Sequence, residues 1–436
     1  MRNSISSKKW RQIAAVIVAF LACVAIGASV VRDSRVASPR ELTWMLPSDL
    51  DRPLYEGILR DFAQAHPEIP IKPVWVTPGQ YQVKLRTLLA ANQAPDIFRC
   101  GDVWVANMLP FLHDITPLVE RDAQQIDLDD IYPEVRAASC YKCRYYFIPS
   151  WYNVSLLYYN KKLFDERGVA YPRADWTWDN YIQAARKLTY RRPNGDQIWG
   201  SDMTTGWWGE WLIYVRQSGG DLFDPSVERC TLDSPSAVRG LEFYFDRMSQ
   251  YHVVAPLGFS PPNGFAGGKI AMLPGGHVGS WVTYNKLPNL DWDIQVMPRG
   301  PFSQKGGEIA MDSWGISKTC NNPEAAWTLI KFITSKDGIR RQVLDGHLSI
   351  RRSVSAELKQ QLTSRRPANR DASYRALQFG QRIPQSPDFI ELAIDIVQPE
   401  VDLMLQGRQS PKQAAHKAAA AANQFMKVLG RSRSKG

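Results

Sequence analysis

The chain has 436 residues, of which 44% are hydrophobic and 22% are charged, and this composition excludes an intrinsically disordered protein. The net charge of +10 comes from the two ends: residues 1–40 hold seven Lys/Arg and one acid, and residues 408–436 hold seven Lys/Arg and no acid. The body between them has 39 basic and 42 acidic residues. A near-neutral body argues against a nucleic-acid partner.

The first forty residues have the pattern of an export segment. A basic stretch that ends at Arg11 precedes an uncharged run of 19 residues, 13–31, as in the basic and apolar regions of a signal sequence. Because this run is long enough to span a bilayer, we expect residues 13–31 to anchor the chain. Cleavage of the segment, or lipidation of Cys23, are the alternatives. All three place residues 40–436 in the periplasm or at the outer face of the cytoplasmic membrane.

The first part of the body alternates between strand and helix patterns. Hydrophobic residues predict strands at 41–46, 71–76 and 94–98, with helices at 51–66 and 81–91 between them. The strand–helix–strand–helix–strand order predicts an α/β unit with a largely parallel sheet.

The same alternation returns after residue 150. The expected elements are a strand at 155–159, a helix at 160–167, a helix at 177–188 and an Ala-rich helix at 412–428, followed by a disordered tail at 431–436. Thr177 is a suitable N-cap for its helix. Two α/β units in one chain predict two lobes that enclose a ligand cleft.

Two cysteines lie close together, and no enzyme motif is present. Cys140 and Cys143 have the spacing of a short disulfide at a hairpin. Free thiols are the alternative, and a metal site would need a second ligand pair that the sequence does not offer. The sequence has no Gly-x-Ser-x-Gly, His-Glu-x-x-His or phosphate-binding Gly-x-x-x-x-Gly-Lys motif. We therefore expect no catalysis, no cofactor and no metal.

Several segments occur in the order typical of one protein family. They are 89–98, 112–118, 148–151, 157–164, 176–189, 265–272, 306–310, 314–318 and 322–327. With these segments the chain resembles the family 1 extracellular solute-binding proteins, which include maltose- and glycerol-3-phosphate-binding proteins. It departs from the family pattern at 140–149, at 275–281 and at Ser349, where a proline is usual. The departures concern the ligand more than the fold.

The resemblance implies a type II periplasmic-binding-protein fold: two α/β lobes, three chain crossings and a cleft that closes in hinge fashion. The expected division is 41–150 plus 293–322 for the N-terminal lobe and 151–292 plus 323–430 for the C-terminal lobe, with crossings near 148–156, 291–298 and 312–323. The implied function is that of a monomeric substrate-binding component of an ABC importer, with a sugar or oligosaccharide as ligand and the permease subunits as partner. A sugar phosphate such as glycerol-3-phosphate, or a ligand-sensing adaptor role, are the alternatives.

Polar and aromatic residues of the expected cleft are the candidate ligand contacts. They are Asp102, Trp104, Trp151, Tyr152, Trp207, Trp208, Gly276, His277, Asp312, Trp314 and Arg351. A carboxylate can accept hydrogen bonds from two sugar hydroxyls, an aromatic ring can stack on a sugar, and glycine lets the backbone approach a ligand. Arg351 can bind an anionic group through two donors. For the tryptophans and Arg351, core packing or surface exposure is the competing interpretation.

Overall fold

The computed structural model describes residues 41–433 except 49–50, 102–105, 204–205, 258–263, 277–279, 363–364 and 385. The predicted anchor at 13–31 and Cys23 lie outside the described residues, as do Asp102, Trp104 and His277. Within the described part of the chain, no helix is long and apolar enough to cross a membrane.

The strands are β1 (Leu42–Pro47), β2 (Ile71–Val76), β3 (Ile97–Gly101), β4 (Phe147–Val154), β5 (Leu156–Asn160), β6 (Tyr190–Arg191), β7 (Gln197–Ile198), β8 (Met272–Gly276), β9 (Trp292–Val296), β10 (Glu308–Ile316) and β11 (Gln381–Arg382).

The helices are α1 (Arg52–Ala65), α2 (Pro78–Ala90), α3 (Thr116–Arg121), α4 (Ala123–Ile126), α5 (Pro133–Ala138), α6 (Lys161–Arg167), α7 (Trp178–Lys187), α8 (Trp208–Gln217), α9 (Pro235–Ser249), α10 (Ser280–Asn285), α11 (Pro323–Thr334), α12 (Lys336–Asp345), α13 (Arg352–Leu362), α14 (Asp371–Leu377), α15 (Gln398–Leu405) and α16 (Pro411–Arg433). Short 3₁₀ turns lie at Leu109–Phe111 and Leu128–Asp130, and a π-helical turn at Glu391–Val397 leads into α15.

The first lobe is built around a six-stranded sheet. β1 pairs in parallel with β2 and β3, so the predicted parallel α/β unit is confirmed. β10 returns from far along the chain and pairs antiparallel with β3 and β4. The apolar side of α1, with Leu54, Ile58 and Phe62 buried, covers this sheet.

The second lobe is built around β5, which pairs antiparallel with β8 and β9. Capping residues mark the ends of its helices. Thr177 forms a capping box with Asn180 at the start of α7, as its position predicts. Gly168 ends α6 at φ +61°, a left-handed conformation that glycine adopts without strain.

The chain passes between the sheets at defined places. β4 belongs to the first sheet and β5 to the second, so one passage lies at Ser155. Another lies between β9 and β10, where the backbone N–H of Glu308 donates to the Ser155 hydroxyl at 3.3 Å. Apolar residues from both sheets form a continuous cluster around these passages.

The expected lobe division needs one correction, at 323–345. These residues form α11 and α12, which pack against α1 and β4 of the first lobe, although the sequence analysis placed 323–430 in the second. The passage expected near 312–323 is also displaced, because β10 stays in the first sheet throughout. α14 packs on β9, so the third passage lies between 346 and 371. β11 then adds a short parallel strand to β10 at the edge of the first sheet. Burial of the apolar face of α11 against the first sheet accounts for the difference.

The C-terminal helix α16 packs on α9 and α15 of the second lobe. The contacting face is made of alanines at 414, 415, 418, 419 and 422, all buried. Their i, i+3, i+4 spacing is the pattern from which the helix is predicted. The helix is longer than predicted and reaches Arg433.

Candidate functional site

A cavity of about 560 Å³ lies between the two lobes. The first lobe lines it with Pro53 and 343–346, at the beginning of α1 and the end of α12. The second lobe lines it with 285–288, after α10, and with Arg365, Arg366 and Arg370. A volume of this size is in the range of small-molecule sites. We call it the interlobe cavity.

The first-lobe wall of this cavity carries Asp345, which lies beside Asp51 and His347. One ligand-type atom from each of the three lies within 4.8 Å of the others, and His347 Nε2 is 3.4 Å from Asp51 Oδ1. Burial raises the pKa of Asp51, but the hydrogen bond and charge of His347, with the charge of Arg99, outweigh burial and lower it. Asp51 is therefore ionised. Desolvation raises the pKa of Asp345.

His347 connects this acidic group to the crossing strands. Its ring packs on Trp151 with centroids 4.6 Å apart, and the Arg99 guanidinium lies 5.3 Å from the Trp151 ring on β4. Arg99 Nε donates to Asp312, which lies opposite Trp151 in the β4–β10 register. Burial raises the pKa of Asp312, and Arg99 opposes this effect. Asp51, Arg99, Trp151, Asp312 and His347 together are called the first-lobe cluster.

Asn153 extends the same surface toward the second lobe. It follows Trp151 by two positions on β4, so both side chains point to one face of the sheet. Its Oδ1 is buried and has no hydrogen-bond partner among the described residues. A buried acceptor without a partner is costly, so this atom is suited to accept a donor from a ligand.

The second-lobe wall is basic. Arg365 Nη1 donates to the Leu344 carbonyl at 3.1 Å and so joins the lobes. Arg366 donates to the Leu290 carbonyl, and Arg370 Nη2 donates to the Arg366 carbonyl at 3.2 Å. The Arg370 guanidinium lies 5.0 Å from the ring centroid of Trp281, which is buried. Burial lowers the pKa of Arg370 to about 10, and the charge of Arg365 adds to this.

Three of the predicted aromatic contacts lie in the core. Trp314 is 1% exposed and packs edge-on against Trp44 and Tyr55, at 5.1 and 5.7 Å. Tyr152 is fully buried. Trp208 is 1% exposed and packs perpendicular to Phe389. None of these three rings is at an open surface, because other helices and strands cover each of them.

Arg351 is buried and does not line the interlobe cavity. Its Nε donates to the Thr334 carbonyl at 2.9 Å, and its Nη2 donates to the Ile126 carbonyl at 2.7 Å. Its third nitrogen lies 3.5 Å from Asp130. The buried guanidinium donates to three backbone carbonyls, those of Thr334, Asp127 and Ile126. The sugar-phosphate alternative thereby loses the support of one of the two residues on which it depended, the other being His277.

Trp207 and Gly276 lie in the second lobe. Trp207 is half-buried, and its ring centroid is 5.0 Å from that of Trp208. Gly276 pairs with Leu156 at the edge of the three-stranded sheet. A Cβ at Gly276 would lie 2.6 Å from the Tyr158 ring, so packing requires glycine there. Asp102 and Trp104 follow the end of β3, outside the described residues, and stay predictions, as does His277.

The structure shows no disulfide between Cys140 and Cys143, in contrast to the prediction. The predicted hairpin is present, with Tyr141 bonded to Arg144 across a tight turn. Lys142 and Cys143 are the two central residues of that turn, both at positive φ. Tyr141 and Arg144 are thus the facing pair, whereas the two cysteines are not opposite each other.

The sequence comparison identifies the family. The model of the bacterial extracellular solute-binding proteins matches residues 47–339. The chain belongs to this family. A family that is extracellular places the body of the chain outside the cytoplasm, as predicted.

Relatives of this solute-binding protein agree with the fold. An arabinooligosaccharide-binding protein of Halalkalibacterium halodurans is 30% identical over 47% of this chain and 44% of its own length, so this match spans less than half of that relative. A probable amino-acid ABC transporter periplasmic-binding protein of Sinorhizobium fredii is 25% identical over 80% of this chain and 81% of its own length. An ABC substrate-binding protein of Listeria monocytogenes, solved with cycloalternan, has a TM-score of 0.79 at 25% identity and covers 89% of this chain and 99% of its own. The predicted two-lobed fold is confirmed.

Sequence reasoning missed much of the site of this solute-binding protein. It did not select Arg99, His347 or Asn153, which stand in no motif and become neighbours only when the strands pair. One signal was available for the second-lobe wall. Arg365, Arg366 and Arg370 lie within six positions of one another, in a body that is otherwise near neutral.

Proposed function

We propose that this solute-binding protein is the substrate-binding component of an ABC importer and binds a sugar or oligosaccharide between its lobes. The observation that carries the proposal is the interlobe cavity, whose Asp345 lies beside Asp51 and His347 of the aromatic and polar first-lobe cluster. The names of the Halalkalibacterium and Listeria relatives support a saccharide. The family is one of binding proteins, and we propose no catalytic role.

The residues offer what a saccharide requires. Carboxylates and the Asn153 amide oxygen accept hydrogen bonds from hydroxyl groups, and arginines donate them. The Trp151 ring, which contacts His347 and Arg99, adds an apolar group beside these polar ones, and a pyranose ring has the same mixed character. Few but well-positioned polar groups against an aromatic wall are typical of small-molecule sites.

Ligand binding is proposed to favour the closed arrangement of the lobes. A ligand that contacts both walls binds the closed state better than the open one and shifts the population toward it. The permease would then recognise the closed form. Retention of residues 13–31 as an anchor, and a monomeric state, complete the proposal.

A thermal-shift screen tests the proposed ligand class. The purified full-length chain is heated with mono- and oligosaccharides, polyols, sugar phosphates and amino acids. A ligand at 100 times its Kd should stabilise the folded state by about 2.7 kcal/mol, which raises the melting temperature measurably. We expect the shift with saccharides, and recovery of the ligand unaltered. Shifts with amino acids alone, as the name of the Sinorhizobium relative would suggest, would contradict the proposal.

Asn153→Ala tests the crossing strand as a ligand contact. Because Oδ1 has no protein partner, its removal should leave the melting temperature nearly unchanged while weakening saccharide binding roughly five- to tenfold, the worth of one hydrogen bond. Isothermal titration calorimetry measures the affinity. Asn194→Ala, on an exposed loop, is the matched control and should change neither quantity. A lowered melting temperature with unchanged affinity would assign Asn153 a structural role instead.

A further inference from the structure

Four basic side chains line the second-lobe wall of the interlobe cavity. They are Lys286, Arg365, Arg366 and Arg370. Over the described residues, none of the four forms an ion pair, and the three arginines donate to backbone carbonyls. Arg247 and Arg99, by contrast, are paired with Glu210 and Asp312.

Arg370 has a buried donor without a hydrogen-bond partner in the described part of the chain. Its Nε is buried and has no partner among the described residues, and its guanidinium is held against the Trp281 ring. Burial of a cation is unfavourable, and the charge of Asp293 does not offset the effect of burial on Arg370, whose pKa is lowered. An anion bound in the cavity would relieve this cost and the repulsion between neighbouring arginines.

The opposite wall carries one acidic residue. Asp345 lines the cavity, and desolvation raises its pKa, whereas the charges of His347 and Lys286 lower it. Four cations and one acid leave the cavity net positive, so the cavity favours an anionic group over a neutral one. A planar carboxylate suits the arginines, because each guanidinium keeps N–H donors that its backbone carbonyl partner does not use.

We propose that the ligand is an acidic saccharide, whose carboxylate binds the basic wall while its ring and hydroxyls lie against the first-lobe cluster. This inference rests on the proposed function, since it names the class of saccharide. It assigns the two walls different roles: the second lobe selects the charge, and the first lobe recognises the sugar. The charge of the ligand would also reduce the repulsion between the basic side chains of this wall when the lobes close.

The test compares matched sugars on the full-length chain. Neutral oligosaccharides and their uronates, which differ only in a carboxylate at C6, are titrated by calorimetry. The uronate should bind at least about tenfold tighter, the effect of one charge-assisted hydrogen bond. The advantage should shrink as salt increases, because exposed charges are screened. Sugar phosphates form a third arm.

Substitutions at exposed positions of the basic wall test its role without unfolding the protein. Lys286→Gln and Arg365→Gln, both at exposed positions, should each lower the uronate-to-neutral preference severalfold, and together about tenfold. Arg239→Gln, exposed on α9, is the control and should leave the preference unchanged. Neutral sugars that bind as tightly as uronates would overturn the acidic class while the proposed function stands. Binding of sugar phosphates alone would overturn the carboxylate, and binding of no saccharide would overturn the proposed function itself.

Discussion

Arg247→Met is expected to lower the free energy of unfolding by about 3–5 kcal/mol, because it leaves a buried carboxylate without its partner. Arg247 is fully buried on α9, and its Nη2 donates to Glu210 Oε1 at 2.6 Å. Its Nη1 donates to the Tyr214 hydroxyl at 2.9 Å, and the guanidinium stacks 4.6 Å from the same ring. One residue therefore joins α8 to α9 in the core of the second lobe.

Urea denaturation measures this loss, and a double variant separates its causes. Arg247→Met combined with Glu210→Gln removes the uncompensated charge, so it should be more stable than Arg247→Met alone. A double variant that is no more stable would show that the tyrosine contacts of Arg247, and not the ion pair, hold the helices together. Saccharide affinity is a second measurement for these variants. Glu210 packs against Gly275 of β8, so loss of the Arg247–Glu210 pair is expected to disturb the second-lobe side of the cleft.

Trp314→Ala is the second large effect, a loss of about 3–5 kcal/mol in the free energy of unfolding, typical of a deleted core tryptophan. The ring lies between Trp44 of β1 and Tyr55 of α1, so the cavity left behind would be enclosed by first-lobe elements. Saccharide affinity of the folded fraction should stay unchanged. This expectation reverses the role that the sequence analysis assigned to Trp314.

A second tryptophan of the same lobe serves as the control. Trp75 is half-buried on β2, with Arg52 over its ring at 4.9 Å. Trp75→Ala should cost less than half as much stability as Trp314→Ala, because less apolar surface is lost from the core. If Trp314→Ala instead weakened saccharide binding without a fall in stability, Trp314 would be a ligand contact and its burial here would not describe the binding state.

Local sequence was sufficient to predict several of the helices and strands. The apolar run at 71–76 is the strand β2 in the structure, and Thr177 caps α7 through a contact only three residues away. Such signals are short-range: the periodicity of one segment and the hydrogen bonds of one helix end decide them. The family, and with it the two-lobed fold, could also be identified from ordered segments of the sequence.

What the sequence by itself determined is therefore part of the set of helices and strands, their α/β order and the family; what the tertiary structure decided is which side chains lie between the lobes. Trp151 and Trp314 lie on paired strands, yet only the covering by α1 places Trp314 in the core. Arg351 is engaged by carbonyls more than 200 positions earlier in the chain, and Arg365 reaches across to the other lobe. The physical reason is that the partners of these side chains come from segments distant in sequence. A local sequence pattern cannot show which distant segments will lie next to each other in the fold.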